Sequence, residues 1–454
     1  MASIATAVHA PPQTGSSPAG ADALYRKISW RLMPLLLICY MVSYLDRINI
    51  GYAQLQMKET LPFSDTVYGL GAGIFFVGYF LFEVPSNLLL VRFGARKTLL
   101  RIMLCWGVVA AAMMWVSTPT QFYAARFLLG VFEAGFFPGI ILYLTFWYPA
   151  PRRAQMIAIF MSATTVAGVI AGPLCGAILK YMDGLGGLHG WQWLFVVQGL
   201  PASVLGVVVY LYLQDRPDEA HWLAASDKQM LREQLAQEHP ADPHAPGVAR
   251  QLLSDPRIYA LSLLYFLLLG ATYTMTFWVP TLVQSWGVKD LLLIGVCTAI
   301  PNLFGIVGMV LIGRSSDRLR ERRWHFAGAV LLAALCLGVT TLLKGQLVAS
   351  VAALSVALIG IAAATPLFFT VLTERLSPAA SAAGIALVSS LGNLGPAVSP
   401  SLAGYITSRH GPDYSIYLVM ALYLGAGALM LLCVRARPAG VSRAVPQPRG
   451  AAAS

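Results

Sequence analysis

A run of about 20 apolar residues, coiled into an α-helix, is as long as the hydrocarbon core of a bilayer is thick. This chain contains such runs one after another. Twelve can be marked, among them Leu32 to Gly51, Gln121 to Tyr148, Ser381 to Ser408 and Tyr414 to Val434. Of the 454 residues, 57% are hydrophobic and 11% charged, whereas a soluble domain carries about 25% charged residues. Lipid, not water, is the solvent for most of this chain. The predicted fold class is an all-α membrane protein with twelve transmembrane helices.

The formal net charge of +11 would suit a nucleic-acid binder if it were clustered on a soluble face. Instead, with the N-terminus placed inside, most of the 31 Lys and Arg fall in segments facing the cytoplasm. That asymmetry is the positive-inside rule. It predicts cytoplasmic termini and no nucleic-acid partner. Residues 1–31 read as a cytoplasmic tail, polar and Pro/Ala/Ser-rich over its first 21 residues and without a cleavable signal; residues 435–454, rich in Pro, Ala and Arg, read as a second tail. The longest polar interruption, 214–257, holds a short amphipathic stretch around Leu231–Leu235 and the breaker-rich run His239–Pro246. It divides the chain into a six-helix bundle over 32–213 and another over 258–434. Two such halves, with a site where they meet, are the plan of a secondary transporter. The six cysteines lie in or at the ends of apolar runs without metal-ligand spacing and read as small hydrophobes. No cofactor or metal is expected.

The two halves repeat a basic cytoplasmic turn. After helix two comes Asn87-Leu88-Leu89-Leu90-Val91-Arg92-Phe93-Gly94-Ala95-Arg96-Lys97; after helix eight comes Gly313-Arg314-Ser315-Ser316-Asp317-Arg318. Both resemble the loop signature of the major facilitator superfamily, a glycine, an acid four residues on, then Arg, Gly and a basic pair. The second copy keeps Gly313, Asp317 and Arg318. The first keeps Arg92, Gly94, Arg96 and Lys97, but Asn87 replaces the leading glycine and Val91 the acid.

Charges inside the apolar runs carry the functional reading, because an ionised side chain at bilayer depth is costly and by default marks a site. Asp46 and Arg47 lie about 21 Å along helix one, and Arg126 and Glu133 about 8 Å and about 18 Å below the outer end of helix four. Seven residues are close to two helical turns, so Arg126, Gly130, Glu133 and Phe137 share a stripe. The four charges can therefore reach one cavity. They could merely neutralise one another and pin helix one to helix four; buried ion pairs are poor stability devices, which favours function. Arginine stays charged and grips a carboxylate with a planar fork, so Arg47 and Arg126 are the anion-binding candidates. Carboxylates can exchange protons, so Asp46 and Glu133 are the proton-coupling candidates. Glu83, two residues before Pro85, reads as structural or gating. The second half has no such charges; Asn393, between Gly392 and Gly395-Pro396, sits where a helix can open. Tyr44, Tyr79, Thr164, Tyr265, Tyr273 and Asn302 could line the cavity or could simply pack.

Tyr44-Leu45-Asp46-Arg47-Ile48-Asn49-Ile50-Gly51, then Phe82-Glu83-Val84-Pro85-Ser86-Asn87, then Arg126-Phe127-Leu128-Leu129-Gly130-Val131-Phe132-Glu133-Ala134-Gly135-Phe136-Phe137-Pro138-Gly139 resemble the anion:cation symporter family within the major facilitator superfamily. The resemblance covers all twelve helices. It implies the major facilitator fold and proton-coupled uptake of organic anions. Acids matching Asp46 and Glu133 would take part in coupling, and arginines matching Arg47 and Arg126 in anion recognition. Thr164 stands where a galactonate carrier of the family would be expected to use glutamine, and helix ten reads Thr365-Pro366-Leu367-Phe368-Phe369-Thr370. Both departures weaken a sugar acid relative to a small hydroxy acid or an aromatic acid.

The expected function is import of a small organic carboxylate by proton symport through alternating access. The alternative is an organic-anion facilitator or exchanger not coupled to protons. No nucleophile–base arrangement or nucleotide loop points to an enzyme or an ATP-driven pump. The expected setting is the inner (plasma) membrane, crossed many times by a monomer surrounded by lipid.

Overall fold

A computed structural model describes residues 18–236, 252–343, 345–376 and 381–434. Residues 1–17, the run His239–Pro246 and the tail from 435 lie outside them. The described residues are helical nearly throughout, and α1 (Pro18–Ile48) begins well before the apolar run at Leu32. An Asn49 joint leads from α1 into α2 (Ile50–Thr60), and the two make the first span. Next come α3 (Asp65–Phe93) and α4 (Ala95–Ala112). The fourth span is α5 (Pro119–Glu133) and α6 (Phe136–Thr145). It is followed by α7 (Ala150–Tyr181), α8 (Gly190–Tyr212) and the surface helix α9 (Ala225–Ala236). The second half runs through α10 (Pro256–Ser285), α11 (Leu291–Leu319), α12 (Arg323–Leu342), α13 (Leu347–Arg375), α14 (Ser381–Gly392), α15 (Gly395–His410) and α16 (Pro412–Cys433). Among the described residues, eleven stretches are long and apolar enough to cross a bilayer. The twelfth crossing is α14 with α15, each too short alone, joined at Asn393–Leu394.

Local chemistry sets the ends. Ser64 accepts the Val67 N–H at 3.3 Å, Thr118 that of Gln121 at 3.3 Å, and Asp290 that of Leu293 at 2.9 Å, each filling a donor that a helix start leaves open. The break between α5 and α6 needs Gly135, whose φ of +85° is costly for a residue with a Cβ.

The buried apolar residues form two clusters, one over Leu24–Leu231 and one over Leu252–Val434. A few residues cross over, Phe277, Trp278 and Ala403 into the first and Leu55 into the second. They mark the seam, which lies at one end. There α3 packs on α15 and α7 on α11 through small residues: a Cβ at Gly69 would come within 2.9 Å of the Gly404 Cα, and one at Gly172 within 3.0 Å of the Gly295 carbonyl carbon. Close backbone approach of this kind holds helices together in lipid, where apolar side chains gain little by leaving the tails. Tyr52 and Thr298 hydroxyls meet at 2.8 Å, Gln54 Nε2 donates to the Phe277 carbonyl at 3.1 Å, and Lys180 pairs with Asp290. By the charge asymmetry this end is the outer one. The α3 face sealed at Gly69 and Gly73 continues, three and five turns on, to Val84 and Val91, which are 63% and 68% exposed. The halves thus touch outside and part toward the cytoplasm. α9 and its approach lie on the first half, with Trp222 stacked on Trp147 and Tyr25 donating to Gln234 at 2.6 Å.

Candidate functional site

Asp46 and Arg47 do not act as a doublet. Neighbours on a helix point about 100° apart, and these two meet different partners. Asp46, 6% exposed, accepts the Trp106 indole N–H of α4 at 2.8 Å and the Asn49 amide at 3.4 Å. Arg47 turns into the molecule, forms an ion pair with Glu133, and donates from Nη1 to the Tyr273 hydroxyl of α10 at 3.0 Å. It therefore touches both halves. Glu133, 1% exposed, also accepts from Ser43 at 2.8 Å, which places its carboxylate at the last turn of α5, beside the break.

Arg126 is as deeply buried, at 1%, yet has no carboxylate within ion-pair distance among the described residues. Its Nε donates to the Gly71 carbonyl at 3.1 Å, and its Nη2 has no partner. The four charges do not simply neutralise one another: Arg47 and Glu133 pair, Asp46 is held by an indole, and Arg126 is left as a buried cation. Phe75 joins the two arginines, with the Arg126 guanidinium 4.9 Å from its ring centre and that of Arg47 at 5.6 Å. The Tyr79 ring lies 5.4 Å from Arg47. Such faces attract cations.

The neutral residues divide. Tyr273 enters the site directly. Tyr44 is half-buried and hydrogen-bonded to nothing described, and so is the Asn393 side chain at the α14–α15 break. Thr164 spends its hydroxyl on its own helix, donating to the Met161 carbonyl at 2.8 Å. Asn302 donates to the Thr298 carbonyl at 2.9 Å, next to Gly168 of α7. Tyr265 stacks on Phe368 with centroids 4.8 Å apart and Phe369 edge-on at 5.2 Å, an aromatic cluster in which Tyr265 and Phe368 are buried.

The two cytoplasmic turns differ in wiring. Gly94, at φ +87°, links α3 to α4. The acid missing at Val91 is supplied from beyond α8: Asp215 accepts the Arg96 backbone N–H at 2.8 Å, while the Arg96 guanidinium donates to the Tyr210 carbonyl at 2.9 and 2.6 Å. Lys97 is exposed. In the second turn Asp317 pairs with Arg322 at 2.6 Å, and Arg322 reaches Glu374 at 3.7 Å. Arg318 stands exposed and Gly313 lies inside α11 with open space around it. Sequence reading missed Trp106, Ser43 and Asp215. An indole N–H in the middle of an apolar run needs an acceptor, which was the available signal for Trp106; Ser43 and Asp215 carried none.

Two half-bundles of membrane-crossing helices, parted on one side around buried charges, define a membrane transporter of the two-bundle type. The chain belongs to the Major Facilitator Superfamily, whose family model matches residues 36–386. It is a multi-pass integral membrane protein. Among relatives, it is 44% identical over 414 residues to a protein of Pseudomonas putida provisionally named metabolite transport protein NicT, covering 91% of this chain and 94% of that one. It is also 44% identical over 422 residues to a protein of Agrobacterium vitis provisionally named a tartrate transporter, covering 93% and 97%. Among solved structures, it superposes with a TM-score of 0.71 on a bacterial homologue of the human lysosomal transporter Spinster in an inward-facing, occupied conformation, at 18% identity over 92% of this chain and 97% of that one.

Proposed function

We propose that this chain imports a small organic carboxylate across a bacterial inner membrane by proton symport, with Arg126 and Arg47 as the anion-binding groups and Glu133 as the principal proton carrier. The observation that carries this reading is Arg126: a buried guanidinium that has exchanged its hydration for one carbonyl and a ring face, with no carboxylate beside it and an unpartnered Nη2, is suited to receive an anion. Arg47 is the second arm. It is occupied by Glu133, and a proton on Glu133 removes that partner. Arg47 is then free to share a carboxylate with Arg126 across Phe75. Proton and substrate thereby favour each other, because both relieve the same competition for Arg47, and coupling is reciprocal. Asp46, held by Trp106 away from Arg47, contributes a second protonatable group at the joint between α1 and α2.

The Agrobacterium vitis relative is named for tartrate, which supports an organic anion as cargo. The internally satisfied Thr164 and the aromatic cluster around Tyr265 leave few hydroxyl partners for a long sugar acid. A hydroxy-dicarboxylate or an aromatic acid fits better. The one-sided seam supports alternating access: the outer contacts would open as the cytoplasmic halves of α3 and α14 close.

The test is uptake of labelled tartrate, benzoate and nicotinate into proteoliposomes under an inward pH gradient. The wild type is expected to accumulate one of them above equilibrium. Glu133→Gln is expected to lose accumulation while keeping counterflow within a few-fold. Accumulation by the Gln variant equal to wild type would remove Glu133 from coupling, and wild-type counterflow insensitive to the gradient would leave an exchanger.

A further inference from the structure

The cytoplasmic half of α3 carries a carboxylate that the site has not used. Glu83 makes no hydrogen bond or ion pair with any described residue, and its Oε2 is buried without a partner. One turn on, the Asn87 Oδ1 is buried and unpartnered as well. A residue that ties helices together is held by its ties, and buried acceptors left unmade are destabilising. Of the structural or gating role expected for Glu83, the structural part finds no hydrogen bond or ion pair among the described residues to support it.

Position supplies another role. Helical spacing lines up Tyr79, Glu83, Ser86, Asn87 and Leu90 on one stripe of α3, and Tyr79, Ser86 and Leu90 are buried. The stripe packs along α5 and α6 across their break. A Cβ at Gly130 would lie 2.9 Å from the Tyr79 nitrogen, one at Gly135 2.6 Å from the Ser86 Cβ, and one at Gly139 2.8 Å from a Leu90 methyl. Glu83 is the stripe residue between the levels of Gly130 and Gly135, the stretch of α5 that ends in Glu133. Toward the outside stands Arg47, over the Tyr79 ring and acting electrostatically on Glu83. Toward the cytoplasm the same helix reaches the parted region at Val91. The titratable and charged groups on the packed elements include Arg47, Tyr40 and Tyr44 from α1, Tyr79 on α3 itself, Arg101 from α4, Arg126 and Glu133 from α5 and Tyr143 from α6. Arg101 donates to the Ser86 hydroxyl at 2.8 Å and Tyr143 to the Gln214 carbonyl at 2.8 Å, so neither is directed at Glu83.

We propose that Glu83 is the group through which the coupled proton leaves toward the cytoplasm, a role that rests on the symport reading above. The neutral Glu133 gives its carboxylic proton to the Glu83 carboxylate, directly or through a water. Glu133, again anionic, re-forms its ion pair with Arg47 and so releases the substrate carboxylate. Glu83 then gives the proton to cavity water and returns to its carboxylate. In each transfer one O–H bond breaks and one forms. The structure, with Glu133 on Arg47 and Glu83 free, matches the end of that sequence.

The experiment uses the full chain in proteoliposomes, with tartrate as probe, and compares wild type, Glu83→Gln and Glu83→Asp. Glu83→Gln is expected to lower pH-gradient-driven uptake about tenfold while leaving tartrate counterflow at equal pH within about twofold. Glu83→Asp is expected to recover uptake with an altered dependence on internal pH. Uptake unchanged in Glu83→Gln, or uptake and counterflow falling together, overturns the proposal. A second measurement needs no substrate: infrared titration of the purified protein from about pH 5 to about pH 9 is expected to show a protonated-carboxyl band that persists in Glu133→Gln and is lost in Glu83→Gln. No such band in the wild type overturns the role. Wild-type protein that moves tartrate without proton entry overturns the symport reading instead, a result visible before any Glu83 variant is compared.

Discussion

Two guanidiniums on one phenylalanine ring is an arrangement with a chemical signature. Phe75 can hold Arg47 and Arg126 near each other without neutralising either, because a ring face attracts a cation and takes no proton. Replacing Arg126 by lysine keeps the charge and loses the fork. In the Arg126→Lys variant uptake is expected to fall about tenfold or more through a raised KM, as the two-point grip on a carboxylate is lost; an unchanged KM in the uptake assay would argue that this residue never touches the anion. At this scale the sequence was informative about which residues matter and silent about how they pair. Charges in apolar runs are conspicuous, so Asp46, Arg47, Arg126 and Glu133 stood out. Adjacency along the chain made Asp46 and Arg47 look like a couple, whereas helical geometry sends one to Trp106 and the other to Glu133.

Three joints lie within the twelve crossings, and each adjoins a candidate site residue; at Ala134–Gly135 the helix breaks outright, while Asn49 and Leu394 keep helical backbone angles. Broken helices free backbone groups at bilayer depth and are tolerated where the freed groups line a cavity. Apolar composition marks the crossings but averages over such joints. The one at Asn393 was legible because glycines and a proline surround it, while the one after Glu133 was hidden by a run that reads as continuous helix. Gly135 makes that second break possible, and Gly135→Ala is expected to cost about 1–2 kcal/mol from its left-handed backbone alone, with further loss from the Ser86 hydroxyl that a Cβ would meet at 2.5 Å. Thermal melting in detergent measures it. Gly187→Ala, also at positive φ but with nothing within 4 Å of its Cβ, is the control that isolates the backbone part.

For the molecule as a whole, the contacts described between halves hold the outer end shut, and one of them is ionic. The Lys180 ammonium, donating a hydrogen bond to Asp290, holds that carboxyl below the usual carboxylate range, helped by the Leu293 backbone N–H. A depressed carboxylate favours the latched state above its free pKa of about 4 and loses that effect only as pH falls through the lower, latched value. The latch is therefore expected to be indifferent to pH between about 5 and about 8, which leaves proton sensing to the membrane-buried acids. Asp290→Asn is expected to raise the outward-open population about two- to fivefold, the modest effect of an exposed pair. Spin-label distances between the outer ends of α7 and α11 report it, and a distribution identical to wild type would assign closure to the glycine contacts alone. The division into two halves could be read from the polar stretch between helices six and seven; the side on which they part could not, because both states of such a machine are built from one sequence.

The turn at Gly94 reaches further than its own loop. Its acid is absent from the local run and arrives from Asp215, 119 residues beyond the Arg96 backbone it caps. A carboxylate lent from another segment performs the same tethering as one written into the motif, and it does so while fastening the exit of helix six to the entrance of helix three. In this chain the loop signature is met as an arrangement in space, and a reading of consecutive letters alone sees a motif without its acid where the folded molecule has one.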